Sequence, residues 1–195
     1  PVDAEGWATL VDVLLRETAA PLGRGVGPGP EAIDLLEVLQ NAPGAPRELR
    51  ARALVLAGNL LEFCGVTPEG TGLTLARETL ASGRARDKFL ALCDAQGGFR
   101  SPRRPPCREL VCSEQAGLID GFDPPCLATV ARLAGAQRSD TAGVVLHVNA
   151  GDRIDDGQPL YSVLSDAPGE LAYAMEWVRH AGHGVRIVKV AEAYE

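Results

Sequence analysis

The stretch Ala20–Leu39, APLGRGVGPGPEAIDLLEVL, sets Gly23, Gly25, Gly27 and Gly29 within seven residues and then opens a helix. Pro30 suits a first helical position, with Glu31 and Asp34 in the opening turn. Ile33, Leu35, Leu36 and Leu39 supply the apolar face. Before the loop, WATLVDVLLRE (7–17) carries Leu10, Val11, Val13, Leu14 and Leu15, which read either as a buried strand or as a short helix. A strand, a loop and a helix in that order mark an α/β unit. Backbone N–H groups at a helix start attract anions. Here Glu31 and Asp34 would repel a phosphate held at that end, and Arg24 is the one cation nearby. The spacing is not that of a dinucleotide-binding G-x-G-x-x-G loop. The residues therefore read as a tight structural turn rather than a phosphate cradle.

Outward from this turn, helical patterns dominate as far as Gly98. NAPGAP (41–46) breaks the first helix. The next is expected from about Arg47 to Cys64. Leu49, Ala53, Leu56, Leu60 and Cys64 recur along it at steps of four and three, beside Leu54, Ala57 and Leu61. So wide a stripe predicts deep packing. Gly65 is a natural stop. Shorter helices are expected at Leu73–Ala81 and Arg86–Ala95, the latter ended by Gly97-Gly98. Beyond FRSPRRPP (99–106) the pattern changes to short strand-like runs: ELVC, AGLID, GVVLHV, PLYSVL and GVRIVKV. Helices are expected at Pro124–Gly135 and Gly169–Ala181. The boundary falls near Ser101–Arg104, with a helix-rich part over 1–100 and a mixed α+β part over 105–195.

The chain has 195 residues, 46% hydrophobic and 23% charged, enough for a real core. Nineteen basic and twenty-six acidic residues give a net charge of −7, which argues against a general nucleic-acid binder. Arg100, Arg103 and Arg104 lie among prolines with no aromatic stacking platform to accompany them, so that segment reads as a solvated linker. No apolar run approaches the ~20 residues of a membrane helix, and no signal-peptide pattern opens the chain. The five cysteines (Cys64, Cys93, Cys107, Cys112, Cys126) form no C-x-x-C and have no zinc-like set, so they read as reduced, mostly buried thiols of a cytoplasmic protein. His147 alternates with Leu146 and Val148 and is expected inside a strand. His180 and His183 flank a turn where they can cap a helix end. Asp152, Asp155 and Asp156 lack the spacing of a calcium loop and read as a turn. No Ser-His-Asp order, H-E-x-x-H or Walker lysine is present. The chain opens on Pro1 and its single methionine is Met175, as expected of a piece of a longer protein.

Three ordered segments carry a specific resemblance. PLGRGVGPGPEA resembles the strand-to-helix turn of the thymidine and pyrimidine-nucleoside phosphorylase family. LAGNLLEFCGVTPEGTGLTLARETLASGRARDKFLALCDAQGG resembles the helical stretch that follows there, closed by Gln96-Gly97-Gly98. AGLIDGFDPPCLATVARLAG, with SDTAGVVLHVNAGDRIDDGQPLYSVLSD, resembles the family's C-terminal α+β domain. Together they cover roughly residues 20–166. PLGRGVGP with GVTPEGTG is most similar to the branch holding type 2 thymidine phosphorylases and AMP phosphorylases.

The resemblance implies the C-terminal part of an α/β phosphorylase domain over 1–100. It implies over 105–195 the α+β domain with a barrel-like, hammerhead strand arrangement. It also implies a pentosyltransferase in which phosphate attacks the anomeric carbon of a nucleoside, releasing the base and a sugar 1-phosphate. Phosphate is then a co-substrate, and no metal or organic cofactor is needed. The expected assembly is a cytoplasmic homodimer joined through a helical domain. The family's phosphate-binding Lys-Ser motif, its S-G-R-G stretch and its base-holding Arg, Ser and Lys have no counterpart among residues 1–20. No catalytic residue is therefore assigned, and the chain alone is expected to be inactive. Pro21, Leu22, Gly23 and Arg24 are the expected substrate-adjacent residues, with Ala20 standing where relatives usually carry a polar residue such as Gln. Two alternatives stay open: an AMP phosphorylase, yielding adenine and ribose 1,5-bisphosphate, and a non-catalytic assembly module. VNAGDRIDDGQPLYSVL has the rhythm of lipoyl and biotinyl domains, but neither Lys88 nor Lys189 sits in the hairpin that a carrier needs.

Overall fold

The computed structural model describes residues 21–189. The apolar segment at 7–17 lies outside them. The described residues form six helices and seven strands, and divide into two compact units. One comprises Leu36–Arg100; the other comprises residues 21–35 and 101–189. The glycine-rich turn and the start of its helix thus group with the α+β part of the chain.

In the second unit, β1 (Gly25–Val26) leads into α1 (Pro28–Leu39), which ends in the first unit. β2 (Cys107–Cys112), β3 (Gly117–Phe122), β4 (Gly143–Leu146), β5 (Arg153–Ile154), β6 (Pro159–Ser165) and β7 (Val185–Val188) complete the strands. They form a four-stranded sheet, ordered β1-β4-β6-β2, and a three-stranded sheet, ordered β5-β3-β7. Every pairing is antiparallel. No pairing closes either sheet, so the described strands do not make the closed barrel that a barrel-like arrangement suggests.

Helices α5 (Pro124–Leu133) and α6 (Pro168–Ala181) pack on the four-stranded sheet. Each opens with proline where a helix has no use for the N–H. Asp123 caps α5 by accepting from the Cys126 N–H at 3.1 Å. Gly182 ends α6 at φ 91°, a backbone region that glycine enters without strain. The core is fully enclosed at Leu127 and Val130 of α5, Leu160, Tyr161 and Val163 of β6, and Ala174 of α6. Burying a side chain such as Leu127 contributes roughly 2 kcal/mol.

The first unit is helical: the end of α1, α2 (Arg47–Phe63), α3 (Gly72–Ala81) and α4 (Arg84–Ala95). Gly58 of α2 and Gly72 of α3 let two backbones touch; a Cβ on Gly58 would lie 2.7 Å from the Leu73 nitrogen. Glu62 of α2 caps α3 by accepting from the Gly72 N–H at 2.7 Å. The predicted deep packing of α2 is not found. Gly58 is its one buried residue, and Val55, Leu56 and Leu60 are 49%, 39% and 47% exposed. The stripe is apolar, but periodicity says which face is apolar and not what covers it.

Candidate functional site

The site begins at the glycine-rich turn. Pro21, Leu22, Gly23 and Arg24 run as half-buried irregular chain into β1. Gly25 and Val26 pair with Val145 and Val144 of β4, and the Leu146 N–H donates to the Arg24 carbonyl at 2.8 Å. The turn is thus fixed to the edge of the four-stranded sheet.

Its other anchor is Asp34 on α1. The buried carboxylate accepts from the backbone N–H groups of Arg24 (2.6 Å) and Gly25 (2.8 Å) through one oxygen. The other oxygen accepts from Nε (3.1 Å) and a terminal nitrogen (2.8 Å) of the Arg24 guanidinium. One turn earlier, Glu31 accepts from the Gly27 N–H at 2.9 Å. The donors that would cradle a phosphate are already engaged by carboxylates of the helix they precede. The structural-turn reading therefore holds, for a stronger reason than repulsion. Glycine is required by close approach: a Cβ on Gly23 would stand 2.6 Å from an Asp34 oxygen, and one on Gly25 would collide with the Pro30 backbone.

Across the same sheet, Ser162 of β6 is paired with Leu110 of β2 and with Val145 of β4. Its hydroxyl is within 2.7 Å of His147 Nε2 and accepts from Arg108 Nε at 2.9 Å. His147 lies one residue past β4 rather than inside it. Burial, then the nearby charges of Arg108 and Arg24, hold its imidazole below the ordinary value. Arg108 and Ser162 were not singled out from the sequence. They stand 54 positions apart, and only strand register joins them.

The remaining sequence candidates have local roles. His180 Nδ1 lies 2.8 Å from the Glu176 carbonyl in the last turn of α6, and His183 Nδ1 accepts from the Val185 N–H at 3.1 Å. Burial lowers the pKa of His183, with Glu114 opposing. Asp152 accepts from the backbone and side chain of Asn149, making the expected turn. Arg103 pairs with Asp140 at 2.7 Å. All five cysteines are free, but Cys64 and Cys112 are exposed and none is fully buried, contrary to the buried thiols predicted. Their helices and strands leave those faces uncovered. Among the described residues no helix is long and apolar enough to cross a membrane, and no cluster of three His, Cys, Asp or Glu side chains is placed to hold a metal.

A mixed α/β protein emerges, built on a turn tied off by its own helix and joined to an antiparallel α+β layer. No family model matches the chain. Curated relatives do. It is 45% identical over 177 residues to "Putative thymidine phosphorylase" of Hahella chejuensis, covering 91% of this chain and 35% of that protein. It is 45% identical over 174 residues to "Putative thymidine phosphorylase 1" of Cupriavidus necator, covering 89% and 34%. It is 48% identical over 176 residues to "Putative thymidine phosphorylase 2" of Acidovorax sp. strain JS42, again covering 89% and 34%. The chain belongs to this thymidine phosphorylase family, and it spans about a third of the length of the curated relatives it matches.

Proposed function

We propose that the chain is the C-terminal portion of a nucleoside phosphorylase, a pentosyltransferase of the cytoplasm. Its reaction is thymidine plus phosphate giving thymine and 2-deoxyribose 1-phosphate. The observation that carries this reading is the 45–48% identity to proteins named for that activity, over about nine tenths of the chain. In this reading the phosphate and base contacts come from the remainder of the full-length protein, which works as a homodimer joined through its helical domain. Phosphate is a co-substrate and no cofactor takes part. The chain supplies scaffold, and the Pro21–Arg24 turn borders the nucleoside cleft. The engagement of that turn by Asp34 and Glu31 favours a bordering role over a phosphate-holding one.

The test is release of free base, measured by chromatography, from thymidine, uridine and AMP with and without phosphate. Full-length protein and the 195-residue chain are compared. Phosphate-dependent thymine release by the full-length protein alone is expected. Turnover of AMP alone would make the parent an AMP phosphorylase. No turnover of any substrate by the full-length protein would leave the assembly-module reading. Turnover by the 195-residue chain alone would overturn the division of labour.

A further inference from the structure

One face of the four-stranded sheet carries a small polar constellation around a buried hub. β6 is central, flanked by β4 and β2, and is buried along nearly its whole length. On that strand Ser162 is 1% exposed although its side chain is polar. Arg108 and His147 cover it, each itself exposed to solvent. They approach from opposite diagonals. Arg108 lies opposite Leu164, while the His147 N–H donates to the Leu160 carbonyl at 2.8 Å. Both meet at the one hydroxyl, at 2.9 and 2.7 Å.

Arg108 is oriented by a buried hydroxyl rather than by a carboxylate. Arg52, Arg86, Arg138 and Arg186 each have a carboxylate partner. Arg108 instead spends Nε on a neutral hydroxyl, and among the described residues it has no carboxylate partner. That bond fixes the guanidinium plane and leaves the terminal nitrogens as an oriented fork, the geometry that suits phosphate oxygens. The charged groups near His147 are Arg108 and Arg24, with Arg24 neutralised by Asp34. Among the described residues no carboxylate is hydrogen-bonded to Arg108 or His147, so the guanidinium and the imidazole stand side by side at Ser162 with an anion as their complementary charge.

We propose that Arg108 and His147, positioned by Ser162, form a binding site for a small oxyanion of the phosphate class. Arg108 supplies a two-pronged contact and His147 a second donor that strengthens on protonation. The site stands on sheet geometry alone and holds whether or not the parent protein cleaves nucleosides. Inorganic phosphate and the phosphate of a sugar monophosphate share the required chemistry.

The experiment is an NMR titration of the 195-residue chain, following the His147 imidazole signals against pH. It is run in chloride, in inorganic phosphate and in ribose 5-phosphate at matched ionic strength. Either phosphate ligand is expected to raise the His147 midpoint, since an anion favours the charged ring and the coupling is reciprocal. The ligand causing the larger rise at equal concentration identifies the source. Arg108→Lys keeps the charge but loses the planar fork, and is expected to weaken binding about tenfold. Ser162→Ala removes the hydroxyl that holds both side chains and is expected to weaken it as well, while Arg52→Gln leaves it unchanged. An equal midpoint in chloride and in both phosphates, or a phosphate response undiminished in both Arg108→Lys and Ser162→Ala, would overturn the site.

Discussion

Asp34 grips Arg24 at both ends, taking its backbone N–H at 2.6 Å and its guanidinium at 2.8 and 3.1 Å. Asp34 thereby ties the entry to β1 onto α1 and, with Glu31 on the Gly27 N–H, occupies backbone donors of the glycine-rich turn. The pair joins positions ten apart in sequence, and Asp34 is 3% exposed.

Asp34→Ala leaves two half-buried N–H groups and a guanidinium without this acceptor. Breaking such a bonded pair is expected to cost about 3 kcal/mol, reduced from the fully buried case because Arg24 is about a third exposed. Asp34→Asn retains one carbonyl acceptor and should cost less. Urea unfolding followed by circular dichroism measures the order; equal stability of the wild type and Asp34→Ala would refute the anchoring role.

Gly25→Ala drives a methyl into the Pro30 backbone, which has no flexible end to yield. A loss of ~2 kcal/mol is expected. Gly44→Ala meets nothing within 4 Å and should stay within about 0.5 kcal/mol of the parent. The same unfolding series compares the two, and a Gly25→Ala chain as stable as Gly44→Ala contradicts the close approach.

Leucines on the two units should respond differently. Leu127 is completely enclosed, and Leu127→Ala is expected to cost about 3 kcal/mol through lost burial and a residual cavity. Leu60 is 47% exposed, so Leu60→Ala should cost less than about 1 kcal/mol in this chain. A large loss at Leu60 would mean that the α2 face is covered in solution.

His147 ties stability to pH. Its imidazole is held below the usual 6.5 in the folded protein, so the unfolded chain binds that proton more readily. The contribution costs nothing above the unfolded value. Stability falls as pH drops through 6.5 and levels off below the folded midpoint. His147→Gln should flatten this part of a stability–pH profile; an unchanged slope between wild type and variant rejects the assignment.

Thiol labelling should follow exposure. Cys64 and Cys112 are expected to react first with a neutral alkylating reagent at pH 7.5. Cys126 should lag, because burial, aided by the Asp123 charge, pushes its thiol upward. Mass spectrometry of timed aliquots gives the order, with all five modified after denaturation. Early labelling of Cys126 would contradict its burial.

Much of the architecture was legible from local pattern. The four helices beyond α2 matched their predicted spans to within a few residues, because capping prolines, stop glycines and 3.6-residue periodicity act over one or two turns. The five longer strands were visible as short apolar runs between turn residues, but two-residue β1 and β5 were not. So short a pairing has no periodicity of its own and exists only because a neighbouring strand offers a partner.

The sequence by itself determined the kind of chain this is: an acidic α/β protein with a glycine-rich turn, a helical middle and an antiparallel end, bearing the motifs of its family. Tertiary structure decided what those residues do. Asp34 turned from a charge that would repel phosphate into the group that occupies its donors, and Arg108, His147 and Ser162 came together. The physical reason is range. Helix caps and periodicities are set by neighbours along the chain, whereas a carboxylate's partner or a hydroxyl's two donors are chosen by strand register and burial across tens of residues.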